Sequence, residues 1–152
     1  FKTGISAELR KLLTTTGVNG YTLKEYGTLV MKNENRNTYP MILGGQKVLS
    51  GLSYGKNANG VLEDKVFETV DGRYRYTSVL VGLPATEYKT EYAFGGYAVL
   101  EKNGVTTTIY GPVMAKSIYS LAQQIIGMGT YPVGSDADVF LRKLISDADA
   151  IK

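Results

Sequence analysis

The chain has no histidine, no cysteine and no tryptophan in 152 residues. Without histidine it lacks the usual proton shuttle near neutral pH, and without cysteine the strongest side-chain nucleophile. The two losses together remove the commonest ligands for zinc, copper and iron, so no metal or other cofactor is expected. Disulfides are excluded, which fits a cytosolic protein and equally an exported protein of an anaerobic Gram-positive bacterium. Charge of one sign is also scarce. The formal excess is +3 and the lysines and arginines are scattered, whereas a nucleic-acid surface shows a basic stripe. The densest basic runs, Arg10-Lys11 and Arg142-Lys143, read as solvated faces, so no nucleic-acid partner is expected. No apolar run approaches the roughly 18 residues of a membrane-spanning helix, so membrane insertion is not expected either. No signal peptide is visible, and the chain opens at Phe1 inside what reads as a strand. A module cut from a longer protein is the expectation.

What is present points to β structure. Apolar content of 43% and charge of 20% are those of a globular protein, and the length fits one domain with a short appendage. Eighteen glycines and twelve tyrosines, with many threonines, favour strands and turns over helices. The clearest local signal runs from Gly96 to Tyr110, where Asn103-Gly104 separates two β-rich runs. Both central residues of a type I′ turn need positive φ, which Asn-Gly supplies. Counting outward sets Lys102 opposite Val105, Leu100 opposite Thr107, Ala98 opposite Ile109 and Tyr97 opposite Tyr110. Ala98, Leu100 and Ile109 are then expected on the buried face, with the two tyrosines paired on the other.

Further strands are expected over 21–32, 46–54, 65–70, 73–82 and 89–95, with a second hairpin at Asp71-Gly72 and a bulge at Gly95-Gly96. Tyr74 and Tyr76 alternate with Arg73 and Arg75, which gives that strand one half-wet face. From Pro112 to Ile126 the period becomes helical and Gly127 ends it. Ser135 to Asp138 opens a second helix as a capping box with aspartate in place of glutamate, and Phe140, Leu141, Leu144, Ile145 and Ala148 form its apolar face. Two segments follow: a β-sandwich module over 1–128 and an amphipathic helix over 135–151 appended to it.

Several patterns invite chemistry. Gly51-Leu-Ser53-Tyr-Gly55 matches the nucleophile elbow of α/β-hydrolases, but the serine has no histidine to activate it and no helix follows. Ser53-Tyr-Gly-Lys56 fits the Ser-x-x-Lys of serine–lysine acylases, yet Gly55 breaks the helix that chemistry needs and no companion motif follows. Lys56 to Gly60, with Glu63 and Asp64 beyond, has the polarity of a calcium loop, but the leading carboxylate is missing and the terminal glutamate misplaced; a calcium site of another type and a plain polar turn are the two readings left. Carboxylate pairs such as Glu87 with Glu91, or Glu63 with Asp64, would serve a glycosidase only if they faced each other at catalytic separation. No catalytic residue is therefore assigned and the chain is not expected to be an enzyme. The tyrosines are the better candidates for binding, because their rings stack on sugar faces and their hydroxyls bond hydroxyl-rich ligands. Tyr54, Tyr74, Tyr76 and Tyr97 are the candidate ligand-binding residues; the competing reading is ordinary core and cross-strand packing.

Two resemblances add to this reading. Tyr21-Thr-Leu-Lys-Glu25 and Tyr97-Ala-Val-Leu-Glu101 resemble the Tyr-x-Leu-x-Glu strand of Gram-positive pilin-like domains, in which the glutamate catalyses a lysine–asparagine isopeptide bond beside a buried neutral carboxyl. Period-two alternation also generates that pattern. Over residues 1 to 127, Phe1-Lys-Thr-Gly-Ile-Ser6, Lys24 to Val30, Tyr76 to Pro84, Thr90 to Phe94, Tyr110 and Ser117 to Ala122 occur in an order that resembles an immunoglobulin-like β-sandwich module. That module occurs in large exported proteins of gut Clostridia and ruminococci. The resemblance implies a mainly β, immunoglobulin-like or fibronectin-like antiparallel sandwich with one or two C-terminal helices. It also implies a secreted or cell-surface, non-catalytic accessory role. The implied partners are neighbouring domains of the parent protein, or a glycan or host protein. A dedicated carbohydrate-binding module is the alternative.

Overall fold

The computed structural model describes residues 2–65 and 68–151. Eight strands form two antiparallel sheets among these residues. The larger sheet contains β2 (Thr22–Lys32), β3 (Leu49–Lys56), β4 (Leu62–Asp64), β7 (Tyr92–Lys102) and β8 (Val105–Lys116), in the order β4-β3-β2-β7-β8. The smaller contains β1 (Lys2–Ser6), β5 (Glu68–Val70) and β6 (Arg73–Thr77), in the order β1-β6-β5. The described residues also form three α-helices, α1 (Ala7–Thr14), α2 (Ile118–Gly127) and α3 (Asp136–Asp149), and two short 3-10 turns at Asn33–Asn37 and Ala85–Glu87.

The hairpin expected at Asn103-Gly104 forms with the register read from the sequence: Lys102 faces Val105, Leu100 faces Thr107, Ala98 faces Ile109 and Tyr97 faces Tyr110. Both turn residues have positive φ, 52° and 78°, as a type I′ turn requires. Asp71-Gly72 repeats this at 49° and 72° between β5 and β6. The register does shift between Gly95 and Tyr97, but the extra residue lies on β8, where Gly111 and Pro112 stand opposite Gly96, and not on β7 as expected.

The burial differs from the expected pattern. Ala98 and Leu100 do pack against the first core cluster, but Ile109 is 52% exposed, and it is Tyr97 and Val99 on the opposite face that are buried. The reason is that both faces of the larger sheet are covered. β2 is its middle strand, and every residue from Tyr26 to Met31 is buried. On one face Leu23, Tyr26 and Tyr54 of the larger sheet form a core with Leu13 of α1, Val18 of the connection after it, and Ile5 and Tyr76 of the smaller sheet. On the other, Leu29, Tyr97 and Val99 lie under Met41, Leu43 and Val48 of the connection that follows β2. The Leu43 amide donates to the Tyr110 hydroxyl at 3.1 Å.

Small residues let the two sheets meet. Thr28 on β2 faces Gly51 on β3 and Gly96 on β7, so one cross-strand row reads Gly-Thr-Gly. A Cβ on Gly96 would stand 2.6 Å from Thr3 Cγ2 and 3.2 Å from the Tyr76 hydroxyl, and one on Gly51 would stand 3.1 Å from Ser78 Oγ. Those distances leave no room for any larger residue without movement.

Strand β8 continues through Pro112 to Lys116, so the helix begins only at Ile118, with Ser117 and Ser120 closing a reciprocal capping box. In α3 Ser135 caps as expected, accepting from the Asp138 amide. The Asp138 carboxylate instead accepts from the Gly134 amide and Arg142 Nε, so only half of a capping box forms. Helix α3 packs on α2 and on the turn before β7, where Lys89 and Tyr119 both bond the Asp149 carboxylate. Phe140, expected on its apolar face, is 64% exposed, while Ala148 is buried. No helix among the described residues is long and apolar enough to cross a membrane.

Candidate functional site

Three of the four candidate tyrosines converge. Tyr54 on β3 and Tyr76 on β6 both pack on Tyr26 of β2, the first stacked at 5.4 Å between ring centroids and the second tilted at 4.9 Å. Such aromatic pairs add about 0.5–1.5 kcal/mol beyond the area they bury. Tyr74 joins through Arg10. The Arg10 guanidinium lies 4.8 Å from the Tyr74 ring centre, 5.2 Å from that of Tyr54 and 5.9 Å from that of Tyr26. Its Nε donates to the Tyr26 hydroxyl at 3.0 Å and its Nη2 pairs with Asp64 Oδ1 at 2.5 Å. The cluster therefore draws on α1, β2, β3, β4 and β6, and so spans both sheets.

The Arg10 side chain is only 12% exposed. It is not the solvated face its neighbourhood in the sequence implies, because α1 was not expected there and turns Arg10 inward over the sheets. Burial works against its charge, but the bonds to Asp64 and Tyr26 outweigh it and hold its pKa above the ordinary value. Burial raises the Tyr26 hydroxyl's pKa, only partly offset by Arg10. Burial with Tyr26 alongside pushes Tyr76 up to about 12. The Tyr76 hydroxyl donates to the Gly27 carbonyl at 3.1 Å, directly across the gap between the sheets.

Tyr97 stands apart, on the opposite face of the larger sheet. Its hydroxyl donates to Glu25 at 3.0 Å, and burial followed by the Glu25 charge raises its pKa. Tyr76 and Tyr97 are each 4% exposed, so neither offers a ring face to solvent; Tyr54 and Tyr74 are half-buried. Three open grooves lie elsewhere: one bounded by Leu80, Tyr92 and Ile118, one by Lys32, Lys47 and Tyr92, and one between α2 and α3. None of the three is lined by Arg10 or by Tyr54, Tyr74, Tyr76 or Tyr97.

The other sequence candidates are dispersed. Ser53 is buried within β3 and Lys56 ends the same strand exposed, so neither an elbow nor a helical Ser-x-x-Lys exists there. The Asn57 side-chain carbonyl accepts from the amides of Asn59 and Val61, closing an Asx turn, and its amide donates to Glu63. Glu63 also pairs with Lys65, and these bonds lower its pKa. No group of three acidic, histidine or cysteine side chains among the described residues could hold a metal ion. Glu87 pairs with Lys32 while Glu91 accepts from Asn33. Glu63 and Asp64 are successive on β4 and project to opposite faces. Glu101 is 42% exposed and pairs with Lys24, and Glu25 accepts from Tyr97.

Sequence reasoning missed Arg10, Tyr26 and Asp64. Tyr26 carried a signal, since it sits two residues before Thr28 on a strand apolar on both faces; Arg10 and Asp64 carried none. The chain matches no protein-family model, no curated protein and no solved structure.

Proposed function

We propose that this chain is a non-catalytic, immunoglobulin-like accessory module of an exported or cell-surface bacterial protein. It works by packing against neighbouring domains and presenting a surface to a glycan or host protein. The observation that carries this reading is the Arg10 cluster. The most developed polar arrangement in the described residues is occupied internally, its ring faces filled by the chain's own guanidinium and its charge met by Asp64. A site built that way fastens two sheets and leaves no reacting group addressed to a substrate. Function on such sandwiches resides in loops and edges grafted on a rigid frame, and two antiparallel sheets joined through Tyr76 provide such a frame.

Affinity electrophoresis against a panel of soluble polysaccharides, pull-down on insoluble ones, and incubation with chromogenic glycosides test the reading together. No turnover is expected on any glycoside, and hydrolysis of one would overturn the non-catalytic assignment. Retention on a polymer that is lost in Tyr54→Ala and Tyr74→Ala, with the fold intact, would replace the accessory role with dedicated carbohydrate binding. Retention unaffected by those substitutions would place the glycan surface elsewhere on the module.

A further inference from the structure

Three of the four outermost strands are short: β4 has three residues, with Glu63 and Asp64 among them, β5 has three, with Glu68 among them, and β1 has five. Strand β8 is twelve residues long and bears no charge from Val105 to Ala115. Among the described residues only β7 pairs with it. Val105, Ile109 and Met114 are each more than half exposed along it. Proteins ordinarily guard such an edge with lysine, short length or a covering element, because its free amides and carbonyls template another strand.

The register says which groups are free. In a two-residue type I′ hairpin the residues flanking the turn form a close hydrogen-bonded pair, and such pairs recur every second residue. Val105, Thr107 and Ile109 therefore bond β7, and Thr106, Thr108 and Tyr110 turn their amides and carbonyls outward. Pro112, which has no N–H, lies beyond them.

We propose that β8 pairs antiparallel with β8 of a second copy of this chain, about a two-fold axis at Thr108, joining two five-stranded sheets edge to edge. In that register Thr106 bonds the partner's Tyr110 and Thr108 bonds the partner's Thr108. Pro112 falls opposite the partner's Gly104, at the end of the ladder, where no amide is required. A second copy fits better than a foreign strand on two counts. Neither edge brings a charge against the other, and the free donors and acceptors are symmetric about one residue, as an isologous contact requires. A single strand pair buries less than the roughly 1,200 Å² of a stable interface, so the dimer is weak and concentration-dependent. Such pairing does not depend on the module having an accessory role.

Sedimentation velocity of the whole chain from about 10 μM to about 1 mM tests it, since weak interfaces associate in that range. A monomer–dimer equilibrium is expected. Thr108→Pro, which removes a central outward amide, and Ile109→Lys, which sets charges across the junction, should each raise the dissociation constant at least about tenfold. Amide exchange at Thr106, Thr108 and Tyr110 should slow as concentration rises, while Val105 and Thr107 stay constant. A chain monomeric throughout would overturn the proposal. So would a dimer that survives Ile109→Lys in a variant whose circular dichroism is unchanged, growth beyond the dimer, or concentration-dependent protection confined to other amides. Thr108→Pro is read only if its circular dichroism is also native.

Discussion

Removing the Tyr76 hydroxyl tests how the sheets are joined. In Tyr76→Phe the ring keeps its place 4.9 Å from Tyr26, while the hydroxyl's 3.1 Å bond to the Gly27 carbonyl and its interaction with the Thr3 side chain are lost. That carbonyl lies on the middle strand among residues that are buried without a break, so water cannot easily replace the donor. Loss of one such bond with the acceptor left unsatisfied costs about 1–2 kcal/mol. Tyr76→Ala removes the ring as well and leaves a cavity between the sheets, for about 3–5 kcal/mol. At this chain length each kcal/mol lowers Tm by about 2–4 °C. Urea unfolding followed by circular dichroism and by tyrosine fluorescence should give coincident curves, with the midpoint lowered and the slope unchanged. A Tyr76→Phe variant within about 0.3 kcal/mol of the parent would refute the bond's role. Separated transitions in Tyr76→Ala would refute the idea that the two sheets unfold as one unit.

Three more outcomes follow from the same contacts. Gly96→Ala should cost about 1–3 kcal/mol in urea unfolding, because its Cβ would lie 2.6 Å from Thr3 Cγ2, whereas Gly104→Ala should cost about 1 kcal/mol through positive φ alone. Arg10→Lys should lower stability by about 1–2 kcal/mol, since an ammonium cannot hold Tyr26 and Asp64 in the guanidinium's geometry while lying over two further rings. Tyr76 holds its proton up to about pH 12 when folded, against about 10 when unfolded. The unfolded chain thus releases that proton first, and stability fully present below pH 10 should fall by about 2–3 kcal/mol as pH rises to 12. A pH series of melting curves should show a fall in the parent that is shallower in Tyr76→Phe, the remainder coming from Tyr26 and Tyr97, whose hydroxyl pKa values burial also raises.

What was legible in the sequence follows from how local the physics is. Asn103-Gly104 and Asp71-Gly72 dictate positive φ within two residues, so both hairpins and the register from Tyr97 to Tyr110 could be counted directly. Ser135 likewise marks its helix start by an adjacent amide. Ile109 shows where local patterning stops: it alternates in phase with Ala98 and Leu100, yet the covering layer ends before β8, and nothing near Ile109 in the chain encodes that. Arg10 failed for a similar reason. Eight residues of α1 are too few for a periodic signal, and its partners Tyr26, Tyr54, Tyr74 and Asp64 lie 16 to 64 positions away. Ring chemistry singles out Tyr54, Tyr74 and Tyr76, and alternation puts the last two on one strand face; their convergence on Tyr26 depends on two sheets meeting, which no window of sequence contains.

The position of β2 in the middle of the larger sheet also governs how the chain acquires its structure. The strand is made early, but its partner β7 lies far along the chain, with Thr22 bonding Glu101 across 79 positions. The hairpin of β7 and β8, closed by two residues, needs no such search and forms on the microsecond scale. The middle strand can pair early with β3 on one edge but waits for β7 on the other, and closing that long loop sets the pace, in milliseconds to seconds as for other chains dominated by distant pairings. Stopped-flow kinetics should accordingly show Gly104→Ala slowing folding and Tyr76→Phe chiefly quickening unfolding. On a ribosome, the most deeply buried segment of the finished protein would soon be followed by β3 on one edge, while its other edge stayed open until β7 was made.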